Sequence, residues 1–217
     1  NVRGLLRRTS LASYQTEKPQ WETILDVDEL AKRENENWVY KGSVCLEPNY
    51  SKCLLRLSRG GTDASVYREF DMDAKAFVSD GFTVPQAKAG VSWVNENELL
   101  IGTDWGEGSL TKSGYPRQTR LWKRGQPIEK ATLIYEGELA DVGVWPGSFD
   151  LQMDGEQAHA SADVIIRAKT FYTTEVYWVH EGKAVKLPLP DTVEPKNMFK
   201  GHLLVSLRKP WTVESRT

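Results

Sequence analysis

A serine nucleophile on a hydrolase fold sits in Gly-x-Ser-x-Gly, because that strained strand-to-helix turn lifts the hydroxyl above the sheet beside its oxyanion donors. Two stretches of this chain approach the pattern and miss it. Ser113-Gly114 lacks the preceding glycine, and Gly147-Ser148-Phe149 lacks both partners at the right spacing, so both read as serines in turns. The imidazoles available as bases are His159, His180 and His202. His180 follows Trp178-Val179 and precedes Glu181-Gly182-Lys183, which predicts a strand end at a hairpin, while His202 opens a strand after Gly201. None stands at zinc-ligand spacing from Glu or a second His. The acid pairs Asp71 with Asp73 and Asp150 with Asp154 would suit a glycosidase at the right separation. Both fall in predicted turns, where Asp commonly bonds its own backbone. Gly102, Gly106 and Gly108 lie between strands rather than opening a helix, so neither a P-loop nor a dinucleotide fingerprint is present. These residues predict no catalytic group, metal site or cofactor site in the chain itself.

Two cysteines, Cys45 and Cys53, flank Pro48-Asn49-Tyr50-Ser51, a turn joining two strands, and could face each other across the hairpin. Two thiols are too few for a secreted disulfide scaffold and have no histidine at metal-ligand spacing, so the expectation is a buried, reduced pair. The sequon Asn49-Tyr50-Ser51 is short enough to arise by chance.

The elements that hold these residues follow from composition and pattern. In 217 residues, 40% hydrophobic and 27% charged, there is material for a sizeable core, within the size range where all-β architectures remain one domain. The formal net charge of −2 provides no field for nucleic acid or an anionic membrane, and neither partner is expected. No apolar run approaches the roughly 18 residues of a membrane span, and Asn1-Val2-Arg3-Gly4-Leu5-Leu6-Arg7-Arg8 lacks the apolar stretch of a signal peptide. A cytoplasmic protein is expected, with a periplasmic one as the alternative, since a chain that does not begin with Met can have lost a targeting segment.

The opening residues, 1–37, read as an arm and connector: a short strand around Trp21-Glu22-Thr23-Ile24-Leu25-Asp26, then one or two helical turns capped by Asp28. Apolar residues look too sparse there for a core helix. From Trp38 the pattern switches to period two, as in Cys53 to Ser58 and Ala64 to Phe70. Turn chemistry intervenes at Arg59-Gly60-Gly61-Thr62-Asp63 and Asp71-Met72-Asp73-Ala74-Lys75. Hairpins without βαβ alternation mean antiparallel sheets. Val39, Val91 and Val142 each open a strand cluster, 52 and then 51 residues apart, near the roughly 50 residues of kelch-type propeller blades. Blades over residues 38–89, 90–140, 141–192 and 193–217 would fill positions 38–217. A β-sandwich of similar strand count, which needs no repeat, is the competing architecture.

Certain residues resemble the prolyl oligopeptidase family. Leu25-Asp26 with Leu30, the hairpin Leu54-Leu55-Arg56-Leu57-Ser58-Arg59-Gly60-Gly61-Thr62-Asp63, and Phe70-Asp71 look like that family's first propeller blade. More specific are the run from Gly102-Thr103-Asp104-Trp105-Gly106 through Ser113-Gly114-Tyr115-Pro116-Arg117 and the following Trp122-Lys123-Arg124-Gly125, which resemble a bacterial subgroup of the family. The Ser-Pro-Asp-Gly turn usual in such blades stands here as Glu47-Pro48-Asn49-Tyr50-Ser51-Lys52, keeping Pro and losing Gly.

The resemblance implies an all-β partial propeller, three to four antiparallel blades of a ring of about seven. It implies an intact serine peptidase that cleaves short peptides, typically after proline, with its triad in a C-terminal α/β-hydrolase domain beyond this chain. The propeller would cap that site, and a chain that stops partway round the ring is expected to self-associate through uncovered blade faces. Within the chain, the loop Gly106 to Pro116 is the best candidate for binding, with Trp105, Tyr115 and Arg117 as contacts to a peptide or to the hydrolase domain. The alternative for the loop is that it packs on the neighbouring blade, and the alternative for the chain is a stand-alone propeller or sandwich module that recruits a protein partner through rim loops, without enzymatic activity.

Overall fold

The computed structural model describes residues 2–150 and 161–213, with Asp150 by its backbone alone. His159, Asp154 and the side chain of Asp150 therefore lie outside the described residues. The chain divides into two compact units, Asn1–Ala87 and Lys88–Thr217.

The first unit opens with an antiparallel hairpin of β1 (Leu5–Arg8) and β2 (Glu22–Asp26), joined through the single helical turn α1 (Leu11–Tyr14). Helix α2 (Val27–Glu34) follows directly. A sheet then runs in the order β3 (Trp38–Cys45), β4 (Lys52–Arg59), β5 (Ser65–Asp71) and β6 (Ala76–Phe77), with β7 (Thr83–Ala87) also pairing β5. Every pairing is antiparallel.

The structure corrects the reading of the connector. The cap of α2 is Asp26, whose carboxylate accepts the Asp28 and Glu29 N–H groups at 2.9 and 3.1 Å; Asp28 lies in the first turn, where its charge faces the positive end of the helix. Nor is α2 a surface connector, because Val27, Leu30 and Ala31 are buried in one core with Ile24, Trp38, Leu55, Leu57 and Phe70. Three apolar residues suffice for a two-turn helix: spaced three and four apart, they fall on one face. The turns at residues 59–63 and 71–75 stand as predicted: Gly60 and Gly61 take φ of 65° and 81°, and the Asp71 carboxylate accepts the Asp73 and Ala74 N–H groups.

The cysteines also need correction. Cys45 and Cys53 stand directly opposite in the register of β3 and β4 and are joined in a disulfide, not held as reduced thiols. Spacing placed them on facing strands, but whether their side chains meet depends on register.

The second unit holds the sheets β8 (Gly90–Asn95), β9 (Glu98–Gly102), β10 (Gln118–Lys123), β11 (Thr132–Glu136) and β12 (Gly143–Asp150), β13 (Ser161–Ala168), β14 (Thr174–His180), β15 (Lys183–Lys186), then the pair β16 (Val193–Phe199) and β17 (His202–Leu207). Within the first two, strands pair in chain order and all are antiparallel. Strand β12 lies against β8, β16 lies against β12, and the outer strands β11 and β15 also meet. Three sheets thus succeed one another face to face with their first strands together, where a sandwich would stop at two layers.

Burial agrees with that succession. Leu99, Leu100 and Ile101 on β9 are consecutive and all fully buried, so both faces of the strand are covered. Val164 and Val176 are buried with Val193, and Phe149, Leu187, Leu189 and Val205 pack around them.

Candidate functional site

The candidate loop joins β9 to β10, and its backbone is tied down along its length. Asp104 Oδ1 accepts the Gly106 N–H at 2.9 Å, and Ser109 Oγ accepts the Trp105 N–H at 2.8 Å while donating to the Gly106 carbonyl at 2.6 Å. Thr111 N–H bonds the Tyr115 carbonyl at 2.9 Å, and Leu110 bridges Pro116. Gly106 and Gly108 hold φ of 102° and 77°, which lets the chain reverse around Ser109 without a Cβ clash.

The three proposed contact residues are placed differently from one another. Arg117 turns inward: Nε and Nη2 donate to the Gly108 carbonyl at 3.0 and 2.6 Å, Nη1 donates to the Gly137 carbonyl at 3.0 Å, and Glu136 pairs with the same guanidinium. Its donors knit the loop to the end of β11. Tyr115 packs edge-on against Trp145 of β12, with ring centroids 5.5 Å apart, and Lys88 Nζ lies 4.6 Å over its ring. Lys112 N–H reaches the Leu139 carbonyl and Thr111 Oγ1 the Val142 carbonyl, so the loop packs on the neighbouring sheet. Trp105 is half-buried under Arg120, whose Cζ lies 4.6 Å from the ring centroid, and its indole Nε1 is buried without a hydrogen-bond partner. Of the three, it is the one with a buried side-chain donor left without a partner.

A second constellation escaped the sequence reading. Arg167 on β13 grips Asp141 with two bonds, Nε to Oδ2 at 2.7 Å and Nη2 to Oδ1 at 3.1 Å, and Asp141 Oδ2 also accepts the Glu138 N–H at 2.6 Å. Glu175 accepts from Tyr177 Oη at 2.8 Å and from Lys186 Nζ at 2.7 Å, and Arg167 Nη1 lies 3.4 Å away. Tyr177 meets Tyr135 of β11 with ring centroids 4.4 Å apart. The Lys186 ammonium, against the opposing cost of burial, holds the Glu175 carboxyl down at about 2, while burial, then Tyr177, raises the Tyr135 phenol well above its ordinary value. This network fastens two successive sheets together. Its members lie 26 and 8 positions apart in sequence, a spacing with no local signature.

One further carboxyl is perturbed. Asp163 on β13 is raised to about 6, chiefly by burial and further by the Glu98 charge, with a Ser148 hydrogen bond acting the other way, and its Oδ1 has no partner.

None of this assembles a hydrolytic centre. His180 stacks on Trp178 with ring centroids 4.7 Å apart, and His202 Nδ1 lies 2.7 Å from the Lys200 carbonyl. Ser113 is exposed in its turn, but Ser148 and the backbone of Asp150, read from sequence as turn residues, lie instead in strand β12, paired in register with Asp163 and Ser161 of β13. Among the described residues no three His, Cys, Asp or Glu side chains converge as a metal site. Among the described residues no helix is long and apolar enough to cross a membrane.

Successive antiparallel sheets stacked on their first strands, with rim loops packed on the next sheet, define the class as a partial β-propeller. Residues 2–204 match the family described as prolyl oligopeptidase, N-terminal β-propeller domain, and the chain belongs to that family. It is 40% identical over 216 residues to an uncharacterized peptidase of Sinorhizobium fredii, covering 98% of this chain and 29% of that protein. An uncharacterized peptidase of Rickettsia prowazekii is 31% identical, with 97% and 30% covered. Among solved structures, a post-proline cleaving enzyme from Rickettsia typhi superposes with a TM-score of 0.87 at 29% identity, over 98% of this chain and 32% of that one. Oligopeptidase B from Leishmania major shares the fold, with a TM-score of 0.61 at 12% identity. The chain thus spans less than a third of the length of these relatives.

Proposed function

We propose that this chain is the non-catalytic N-terminal part of the propeller of a prolyl oligopeptidase-like serine peptidase, where it caps the active site and restricts access to short peptides. The observation that carries this reading is the family match across residues 2–204 in a chain that has no nucleophile elbow. The succession of packed sheets supports exclusion, because a ring completed from such sheets would keep folded substrates and bulk water from a nucleophile beneath it. The Ser-Asp-His triad belongs in an α/β-hydrolase domain of the longer polypeptide. The likeness to a post-proline cleaving enzyme supports proline as the residue before the scissile bond. Apolar side chains exposed on the last sheets, Trp178, Val185, Phe199, Leu204 and Leu207, further support self-association of the isolated chain.

A serine-reactive fluorophosphonate tests the assignment. It labels the longer polypeptide, which hydrolyses short proline-containing peptides and leaves folded proteins intact, and it leaves this chain unlabelled. Covalent labelling of the 217-residue chain, or a longer polypeptide without a reactive serine, overturns it.

A further inference from the structure

We propose that Cys45–Cys53 is a thiol–disulfide exchange site, entered only at Cys45 Sγ, which sets how firmly the loop at residues 46–51 is held. The two sulfurs close the last rung of β3 and β4, and the chain has no other cysteine with which they can scramble. Their surroundings are unlike. Cys53 is fully buried in the core of the first unit and pairs in register with Phe70 on β5, whereas Cys45 lies at the edge of that core and is only partly buried. The loop they close carries exposed Tyr50, 53% accessible, in a left-handed backbone conformation with φ of 53°. It keeps some ties of its own: Leu46 N–H to the Lys52 carbonyl at 2.8 Å, Tyr50 N–H to the Leu46 carbonyl at 3.0 Å and Met72 N–H to the Ser51 carbonyl at 2.8 Å. Reduction therefore loosens the hairpin end without dismantling the sheet.

The exchange partner is a low-molecular-weight thiol and its disulfide, of the glutathione class. An external thiolate attacks Cys45 Sγ, the protein S–S bond breaks, and its electron pair leaves on Cys53 Sγ, which takes a proton from water. A second external thiolate attacks the outer sulfur of the mixed disulfide and releases the Cys45 thiolate, so two external thiols are oxidised to one disulfide and the protein gains two thiols. In the oxidising direction, Cys45 captures an external disulfide and Cys53 displaces the external thiolate. Apolar surroundings disfavour the Cys53 thiolate, which makes it a slow leaving group and a poor first nucleophile. Entry is thereby confined to Cys45, and the closed form resists reduction.

The test uses the 217-residue chain in glutathione redox buffers, read by alkylation and intact mass, with chymotryptic cleavage after Tyr50 as the measure of loop opening. Cleavage is expected to rise about ten-fold on reduction, as for a local opening made more frequent. Cys53→Ser is expected to take up one glutathione from glutathione disulfide, at Cys45. Cys45→Ser takes up none until urea unfolds it. Equal uptake at both cysteines, free thiols in oxidising buffer, or cleavage after Tyr50 that ignores the redox state overturns the proposal. The wild-type measurements decide it even if either variant fails to fold.

Discussion

Asp163, partly buried, and Asp141, buried, are carboxyl groups of the second unit, and their surroundings give them opposite roles. No cation among the described residues offsets the burial of Asp163, which favours its protonated form and lifts it to about 6. Between the ordinary carboxylate value and that value the folded state binds more protons than the unfolded state, so its contribution falls as pH rises through about 4 to 6 and stays lost above. Asp163→Asn is expected to stabilise the chain at neutral pH by about 1–3 kcal/mol and to have little effect near pH 4, as read by urea melts at both values. Glu175 runs the other way. Held down at about 2, it adds stability above the ordinary carboxylate range, lost as pH falls from about 4 toward 2. Asp141 is nearly buried and bonded twice by Arg167, so Asp141→Ala strands a guanidinium between two sheets. A loss of about 3 kcal/mol is expected, with Asp141→Asn costing less because one acceptor remains. A denaturant midpoint unchanged by Asp141→Ala would show that the network fastens nothing. The three rim residues named from sequence lie in or beside one loop, but their partners were not legible, because Gly137, just past β11, and Trp145 of β12 come from later in the chain.

At the scale of elements, strands and tight turns were readable wherever the code is local. Period-two alternation marked β4 and β5, and Gly60-Gly61 marked the reversal between them. Helix α2 was misjudged for a physical reason: counting apolar residues undervalues a short helix whose few apolar side chains share one face. Leu30 is 1% exposed, so Leu30→Ala is expected to cost about 2–4 kcal/mol, seen as a lower denaturant midpoint with an unchanged slope. A cost under about 0.5 kcal/mol would return α2 to the role of surface connector. Strand β1 went unread because it is four residues long and mostly exposed; only pairing with β2 makes it a strand.

At the scale of the whole molecule, apolar surface left on β16 and β17 has a measurable consequence. Light scattering of the isolated chain is expected to show concentration-dependent association, weakened by Leu204→Lys or Leu207→Lys, while a strict monomer at high concentration would count against it. By itself the sequence determined an all-β, antiparallel chain, the absence of a nucleophile elbow and the family resemblance that the comparison over residues 2–204 bears out, because alternation, turn chemistry and motifs are written in neighbouring residues. The tertiary structure alone decided that the two cysteines join, that Arg117 faces inward, and that Arg167, Asp141 and Glu175 form one network. Each of these depends on strand register and on which sheet lies beside which, and those are set by packing between residues distant in the chain.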